Sequence, residues 1–367
     1  EDSLFQSGDL DMNVHHPTSI LRSRAGSRKM SRVVASVCAA LLFLSAGCRT
    51  VKTIRAKHHI NVGDRLLREH DLQAALERFQ AAAELAPQMA VAHSKLGGVY
   101  REMGSYERAI DAFVDALQQN PFSFADTINL AQLYYFTSRI TEAIGAYLHA
   151  IDLEPENFDA HMNLGVCYEQ TGELYQAVGQ FRRAIEIDPT QPNSFVNLGV
   201  VLDRQKKYYE AIRAYKDALE RDSHQPLVLV NLARTYMNQD RIRMAKAALE
   251  QAIAMDPNLA VAHEALGYTL FRGRDFVAAR KAYSLALACD PNLPKSHSGL
   301  GSIQMLRFLE EPSRTDLRSA ALEHWHRSLE LNPDQPRIRK LIARYRPGRG
   351  DPSNLLFQAS ERVSSAH

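Results

Sequence analysis

Four asparagines stand 34 residues apart in this chain: Asn129, Asn163, Asn197 and Asn231. An amide side chain both donates and accepts hydrogen bonds. A row of amides at one spacing could therefore hold an extended peptide by its backbone, whatever side chains that peptide carried. Five histidines, His59, His93, His161, His263 and His297, are separated by multiples of the same interval. They invite a metal reading, which geometry removes. Equivalent positions on packed helices lie at least ~8–10 Å apart, whereas zinc binds nitrogen at about 2.0–2.1 Å. Two such imidazoles cannot share one ion, so the row implies no metal, and nothing else in the sequence asks for a cofactor. No glycine-rich phosphate loop, Ser-His-Asp arrangement or paired catalytic carboxylates stand out. The expectation is a non-catalytic protein without a small-molecule substrate. A net charge of +2, from 44 basic and 42 acidic residues, gives no electrostatic footprint for nucleic acid. The single Trp offers no base-stacking platform.

The elements that position these residues are read from the prolines. Pro87, Pro121, Pro155 and Pro189 follow one another at 34 residues; after Ser223 the series resumes at Pro257 and Pro291. Pro333 comes 42 residues later, so the last unit carries an eight-residue insertion. Counting from Ala56, each unit has two helical patterns. The first places apolar residues at positions 7, 8 and 11, as in Leu96-Gly97-Tyr100 and Leu164-Gly165-Tyr168, on one helix face. The second has Ala at 20, a ring or Leu at 24 and Ala at 27, as in Ala109-Phe113-Ala116 and Ala177-Phe181-Ala184. Small residues let the two helices of a unit touch, and the ring fills the gap between units. Proline then closes each unit, because it cannot continue a helix.

These positions, Leu-Gly-x-x-Tyr followed by Ala-x-x-x-Phe-x-x-Ala and Pro at period 34, closely resemble the tetratricopeptide repeat. The resemblance implies an all-α, right-handed α-α superhelical solenoid of eight helix pairs over residues 56–346, ending in a capping helix, Pro336–Tyr345. The first unit is degenerate, and in the eighth the insertion Phe308–Thr315 is expected to lengthen the loop between helices. The resemblance also turns positions 2, 5, 6, 9, 12 and 13 into a concave groove. The four asparagines fall at position 6, similar to the ladder in the repeat region of O-linked N-acetylglucosamine transferases. Met162, Val196 and Val230 at position 5, with Val166 and Val200 at position 9, would form an apolar floor, and Tyr135 and Phe136 lie beside it. The carboxylate clamp of chaperone adaptors is not rebuilt, since Ile60 and Asp64 stand in its places. The histidines, at position 4, replace the family's aromatic residue and are read as packing groups.

Residues 1–29 are a polar upstream segment before a more natural start at Met30. Residues 30–47 have the basic start and short apolar run of a signal peptide. Leu44-Ser45-Ala46-Gly47-Cys48 resembles the lipobox of bacterial lipoproteins, with Ser45 where the family prefers Leu. Acylated Cys48 would anchor the chain to a membrane through a tether spanning residues 48–55. Residues 347–367 are expected to be disordered. Cys38 lies in the signal; Cys167 and Cys289, too distant for a disulfide, are expected as buried fillers. The expected function is a protein–protein scaffold or assembly factor in a bacterial envelope, facing the periplasm, with a protein or peptide partner of unknown identity. The alternative is a soluble or periplasmic module recruiting peptides to a separate enzyme such as a glycosyltransferase. With the signal unused, the chain would be cytoplasmic.

Overall fold

The computed structural model describes residues 50–346, which hold seventeen helices and no strand. They divide into two compact units. The first, up to Pro121, comprises α1 (50–68), α2 (Leu72–Leu85), α3 (Ala90–Glu102) and α4 (Tyr106–Gln119). The second begins at Phe122. It contains the pairs α5 (Phe124–Phe136) and α6 (Ile140–Leu153), α7 (Phe158–Thr171) and α8 (Leu174–Ile187), and α9 (Pro192–Arg204) and α10 (Tyr208–Arg221). There follow α11 (Pro226–Asn238) and α12 (Ile242–Met255), α13 (Ala260–Arg272) and α14 (Phe276–Cys289), α15 (Pro294–Glu310) and α16 (Thr315–Leu331), and the single helix α17 (Pro336–Tyr345). The expected register of eight pairs and a terminal helix is therefore the one observed. Residues 50–55, expected as a tether, belong to α1. The signal segment, Cys48 and the tail after Arg346 lie outside the described residues.

Local chemistry sets the helix ends. Asp71, Asn157 and Asp275 accept from the backbone N–H three residues on, each at 3.0 Å, supplying partners for donors the helix leaves open. Pro192, Pro226, Pro294 and Pro336 occupy first turns, where their missing N–H costs nothing. Between the helices of a pair the chain turns through a left-handed residue, and this position also repeats at 34: His70, Gly104, Ser138, Gly172, Lys206, Asp240 and Arg274, with φ from 58° to 83°. Two of the seven are glycine. The others accept a conformation that costs an L-residue roughly 1–2 kcal/mol.

The core between paired helices is a small residue under a large one. A Cβ added to Gly63, Gly165 or Gly199 would lie 2.6 Å from Phe79, Phe181 or Tyr215. These rings are almost wholly buried, so the glycine sets how closely the helices approach. Repeat six uses Ala233 with Leu249 at the same places, both buried.

The insertion behaves differently from expectation. It does not form a loop: α15 and α16 have 17 residues each, against 13 or 14 in the other pairs from α3 onward. Phe308, the eighth counterpart of the left-handed turn, is helical, and the connection, residues 311–314, is only one residue longer than the three usual in the other pairs. The added residues continue both helical patterns, so each helix gains about one turn.

Candidate functional site

Within the second unit the first helices of successive pairs touch: α7 with α9, α9 with α11, α11 with α13 and α13 with α15. This brings one helical position from each pair onto a common face. Asn129, Asn163, Asn197 and Asn231 lie on α5, α7, α9 and α11 and are all half-buried. Their surroundings differ. Asn231 Oδ1 accepts from the Arg234 guanidinium at 2.6 Å, and Asn129 already has a polar partner. Asn163 and Asn197 have no hydrogen-bond partner among the described residues, leaving both amides able to donate and accept.

The aliphatic neighbours fare unevenly. Met162, Val166, Val196 and Val200 are partly buried against the central core and keep one side outward. Val230 is only 7% exposed and belongs to the core itself. The run Val228-Leu229-Val230 is buried on every side of α11, so it offers no floor to a ligand. Three apolar residues that the sequence reading passed over stand open instead: Leu227 (58%), Val261 (40%) and Tyr268 (46%). They sit at positions 2 and 9 of repeats six and seven, and their large side chains at groove positions were the available signal.

Positions 12 and 13 form clasps between consecutive first helices. Gln170 donates to the Tyr135 hydroxyl at 2.9 Å. Arg204 donates to the Glu169 carbonyl and carboxylate, both at 3.0 Å. Asn238 donates to Asp203 at 3.3 Å. Each bond is exposed and individually weak, but together they give neighbouring helices a polar register. Tyr135, expected beside the groove, is spent in such a clasp, whereas Phe136 is 63% exposed.

The histidine row has a structural task. In His93, His161, His263 and His297 the Nε2–H donates to the carbonyl of the proline six residues earlier, at 2.8, 3.0, 2.9 and 3.1 Å. A carbonyl only accepts, so Nε2 carries the proton and Nδ1 looks toward the second helix. There Nδ1 of His161 lies 2.7 Å from Gln180 Oε1, and Nδ1 of His297 lies 3.0 Å from Nδ1 of His324. Burial, and then the neighbouring His297, push the His324 imidazole down to about 4. No group of three or more metal-ligating side chains occurs among the described residues. Cys167 is buried, and burial pushes its thiol up to about 11. Cys289 departs from expectation: as the last residue of α14 it points outward and is exposed.

No described helix is long and apolar enough to cross a membrane. The tetratricopeptide-repeat family matches residues 62–124, 128–192 and 230–294, and a second form of the same repeat matches 181–213. Among curated proteins no sequence matches significantly. The C-terminal part of a TPR repeat-containing protein from Cytophaga hutchinsonii is 22% identical, covering 66% of this chain and 99% of that one with a TM-score of 0.56. The Cut9–Hcn1 structure of the APC/C is 16% identical, covering 77% of this chain and 54% of that one with a TM-score of 0.51. MamA is 22% identical, covering 46% of this chain and 92% of that one with a TM-score of 0.45. The first two likenesses bear on the fold, and the repeat matches, which span more than half of the chain, decide the family: it belongs to the tetratricopeptide-repeat proteins, helical scaffolds of protein interaction.

Proposed function

We propose that the second unit binds an extended peptide segment along its first-helix face, and that the chain is an assembly scaffold tethered to a bacterial envelope membrane. The observation that carries the binding reading is the pair Asn163 and Asn197. They are half-buried, one repeat apart and without partners of their own. A peptide backbone crossing them would offer each amide one donor and one acceptor. Met162, Val166, Val196 and Val200 give the amides apolar flanks that exclude water, and Leu227, Val261 and Tyr268 extend the apolar surface into repeats six and seven. The tether reading rests on the apolar run ending at Cys48.

The test uses a peptide selected on the wild-type chain from a random display library. One hydrogen bond from each amide to the peptide contributes about 0.5–1.5 kcal/mol. Asn163→Ala with Asn197→Ala should therefore weaken binding by roughly 5- to 150-fold. Asn129→Ala with Asn231→Ala should cost less, since those amides are already engaged. Equal loss from both pairs, or none from the first with helicity intact, would place the peptide elsewhere. For the tether, Cys48→Ala should move the chain from the membrane to the soluble fraction, and unchanged fractionation would overturn it.

A further inference from the structure

Three arginines stand on the first helices of repeats five to seven, and one of them is left without an acid. Arg204, at position 13, pairs with Glu169 of the preceding repeat at 3.0 Å, and Arg272, at the same position, pairs with Asp240 at 3.1 Å. Arg234 lies at position 9 and has no ion pair among the described residues. Its side chain turns back along α11, where Nη2–H donates to Asn231 Oδ1 at 2.6 Å. A guanidinium carries five N–H donors, so four are left without a protein partner, and the residue is exposed. Asn231 thus fixes where the cation stands without neutralising it.

No other residue along this face resembles it. Arg234 is the one cation at positions 2, 5, 6 and 9 of repeats three to seven. Two acids share those positions: Asp159 is two repeats away, and Glu264, on α13, accepts from the Ser296 hydroxyl at 3.1 Å. At position 12, Glu169 and Asp203 are taken by Arg204 and Asn238. Leu227, Asn231 and Arg234 follow one another at i, i+4 and i+7, one stripe of α11. Val261 and Tyr268 hold the corresponding ends of the stripe on α13, which touches α11. Leu227, Val261 and Tyr268 are all exposed, so the guanidinium stands among apolar side chains.

We infer that the peptide held by this face presents one acidic side chain, Asp or Glu, to Arg234. The inference rests on the peptide reading above and names what that peptide must carry. A carboxylate takes two parallel N–H bonds from a guanidinium fork and offsets its charge, which a neutral amide or hydroxyl does not. The carboxylate belongs to a side chain and not to a chain end, because the face runs on in both directions, to Asn197 in repeat five and to Val261 and Tyr268 in repeat seven. Packed helices stand roughly 8–10 Å apart, and an extended chain advances ~3.3–3.6 Å per residue. The acid therefore falls about three residues from the backbone held at Asn197, and an apolar side chain for Val261 and Tyr268 about three residues beyond it. A run of acids is disfavoured, since a second carboxylate one repeat further on would meet Glu264.

The probe is a random peptide library, displayed between fixed flanks and panned on the full chain. Peptides selected on the wild type should share one Asp or Glu, and those selected on Arg234→Gln should not. Arg234→Glu should select Lys or Arg at the same place. A synthetic peptide from the wild-type set, with both ends capped, is then titrated by fluorescence anisotropy. Exchanging its acid for the matching amide should weaken binding about three- to thirtyfold, between the worth of an exposed ion pair and that of a hydrogen bond to a charged group. The loss should shrink as salt rises, and the same exchange should change nothing against Arg234→Gln. No shared acid in the wild-type set, an acid retained in the Arg234→Gln set, or equal losses in the two chains would each overturn the inference. Binding that needs a free chain end would overturn it as well. Asn163→Ala with Asn197→Ala separates the two readings. Unchanged affinity in that chain, with the acid still dependent on Arg234, sinks the amide reading and leaves this one standing; a loss there without any acid preference does the reverse. A library that yields no binder overturns both. Should Arg234→Gln fail to fold, the acid-to-amide exchange and its salt dependence on the wild type decide alone.

Discussion

Exchanging one glycine–ring pair for the alanine–leucine pair that repeat six already uses should reveal a strong coupling. In repeat four a methyl group on Gly165 would come within 2.6 Å of Phe181 Cε1, well inside ordinary contact. Gly165→Ala alone therefore overpacks the helix junction, at about 1–3 kcal/mol, against a gain of about 1 kcal/mol in helix propensity. The expected net loss is about 0–2 kcal/mol. Phe181→Leu alone removes part of a ring that is 0% exposed. It should cost about 1–2 kcal/mol, less than the ~3–5 of full truncation. In the double variant the ring that clashed is gone, so the alanine keeps its helix gain and fills part of the space. Gly165→Ala should then stabilise by about 1 kcal/mol, a coupling of roughly 1–3 kcal/mol between the two positions. Urea titration of all four chains by circular dichroism measures the cycle. Hydrogen exchange of the α7 and α8 amides localises it, because a repeat array opens in parts. If the two single effects add to the double within ~0.5 kcal/mol, the ring does not rest on the glycine and the packing argument fails.

His324 makes stability depend on pH. Its folded value of about 4 lies below the ordinary 6.5, so the unfolded chain holds the extra proton between them. The stabilisation from this group is present above about pH 6.5 and is lost as pH falls toward 4. His324→Gln, which keeps a partner for His297 as Gln180 does for His161, should flatten the fall in thermal midpoint over that range. Equal slopes in the two chains would refute the assignment. Trp325, the single tryptophan, is buried against Ile338 and Ile342 of α17. Deleting the chain from residue 336 onward should shift its emission to the red and lower the midpoint, and an unchanged spectrum would show that α17 does not seal the end.

The repeating parts of this fold were open to sequence reading because each is copied. One glycine beside one ring says little, but Gly97 with Phe113, Gly165 with Phe181 and Gly199 with Tyr215 at constant spacing identify both the pair and its register. Features that depend on a backbone imposed from outside were hidden. The left-handed turn recurs at His70, Ser138, Lys206, Asp240 and Arg274; His and Asp are only enriched at positive φ, and Ser, Lys and Arg do not announce it. Packing of the two flanking helices forces the turn, and the side chain there merely tolerates it. The insertion was counted correctly, yet whether eight residues become loop or helix depends on whether their apolar pattern continues that of the flanking helices. At the candidate site the asparagine spacing was visible, but the engagement of Asn231 by Arg234 and the burial of Val230 arise from neighbours one turn or one helix away.

The left-handed turns have a consequence for the order in which the array opens. Five of the seven hold a residue other than glycine, and replacing any of them with glycine relieves about 1–2 kcal/mol of backbone cost, less whatever the freer unfolded chain recovers. Asp240 is the exception, because its carboxylate accepts from Arg272 of the next repeat at 3.1 Å and its loss would break a contact between repeats. In a linear array, stability is close to a sum of local terms, so each turn acts as a separate dial on one helix pair. Setting Lys206 to glycine would hold repeat five closed while its neighbours opened first. Setting His70 and Arg274 would reverse that order. The direction in which the chain unravels, and hence the repeats a protease meets first, could be chosen without altering the asparagine positions of the first helices.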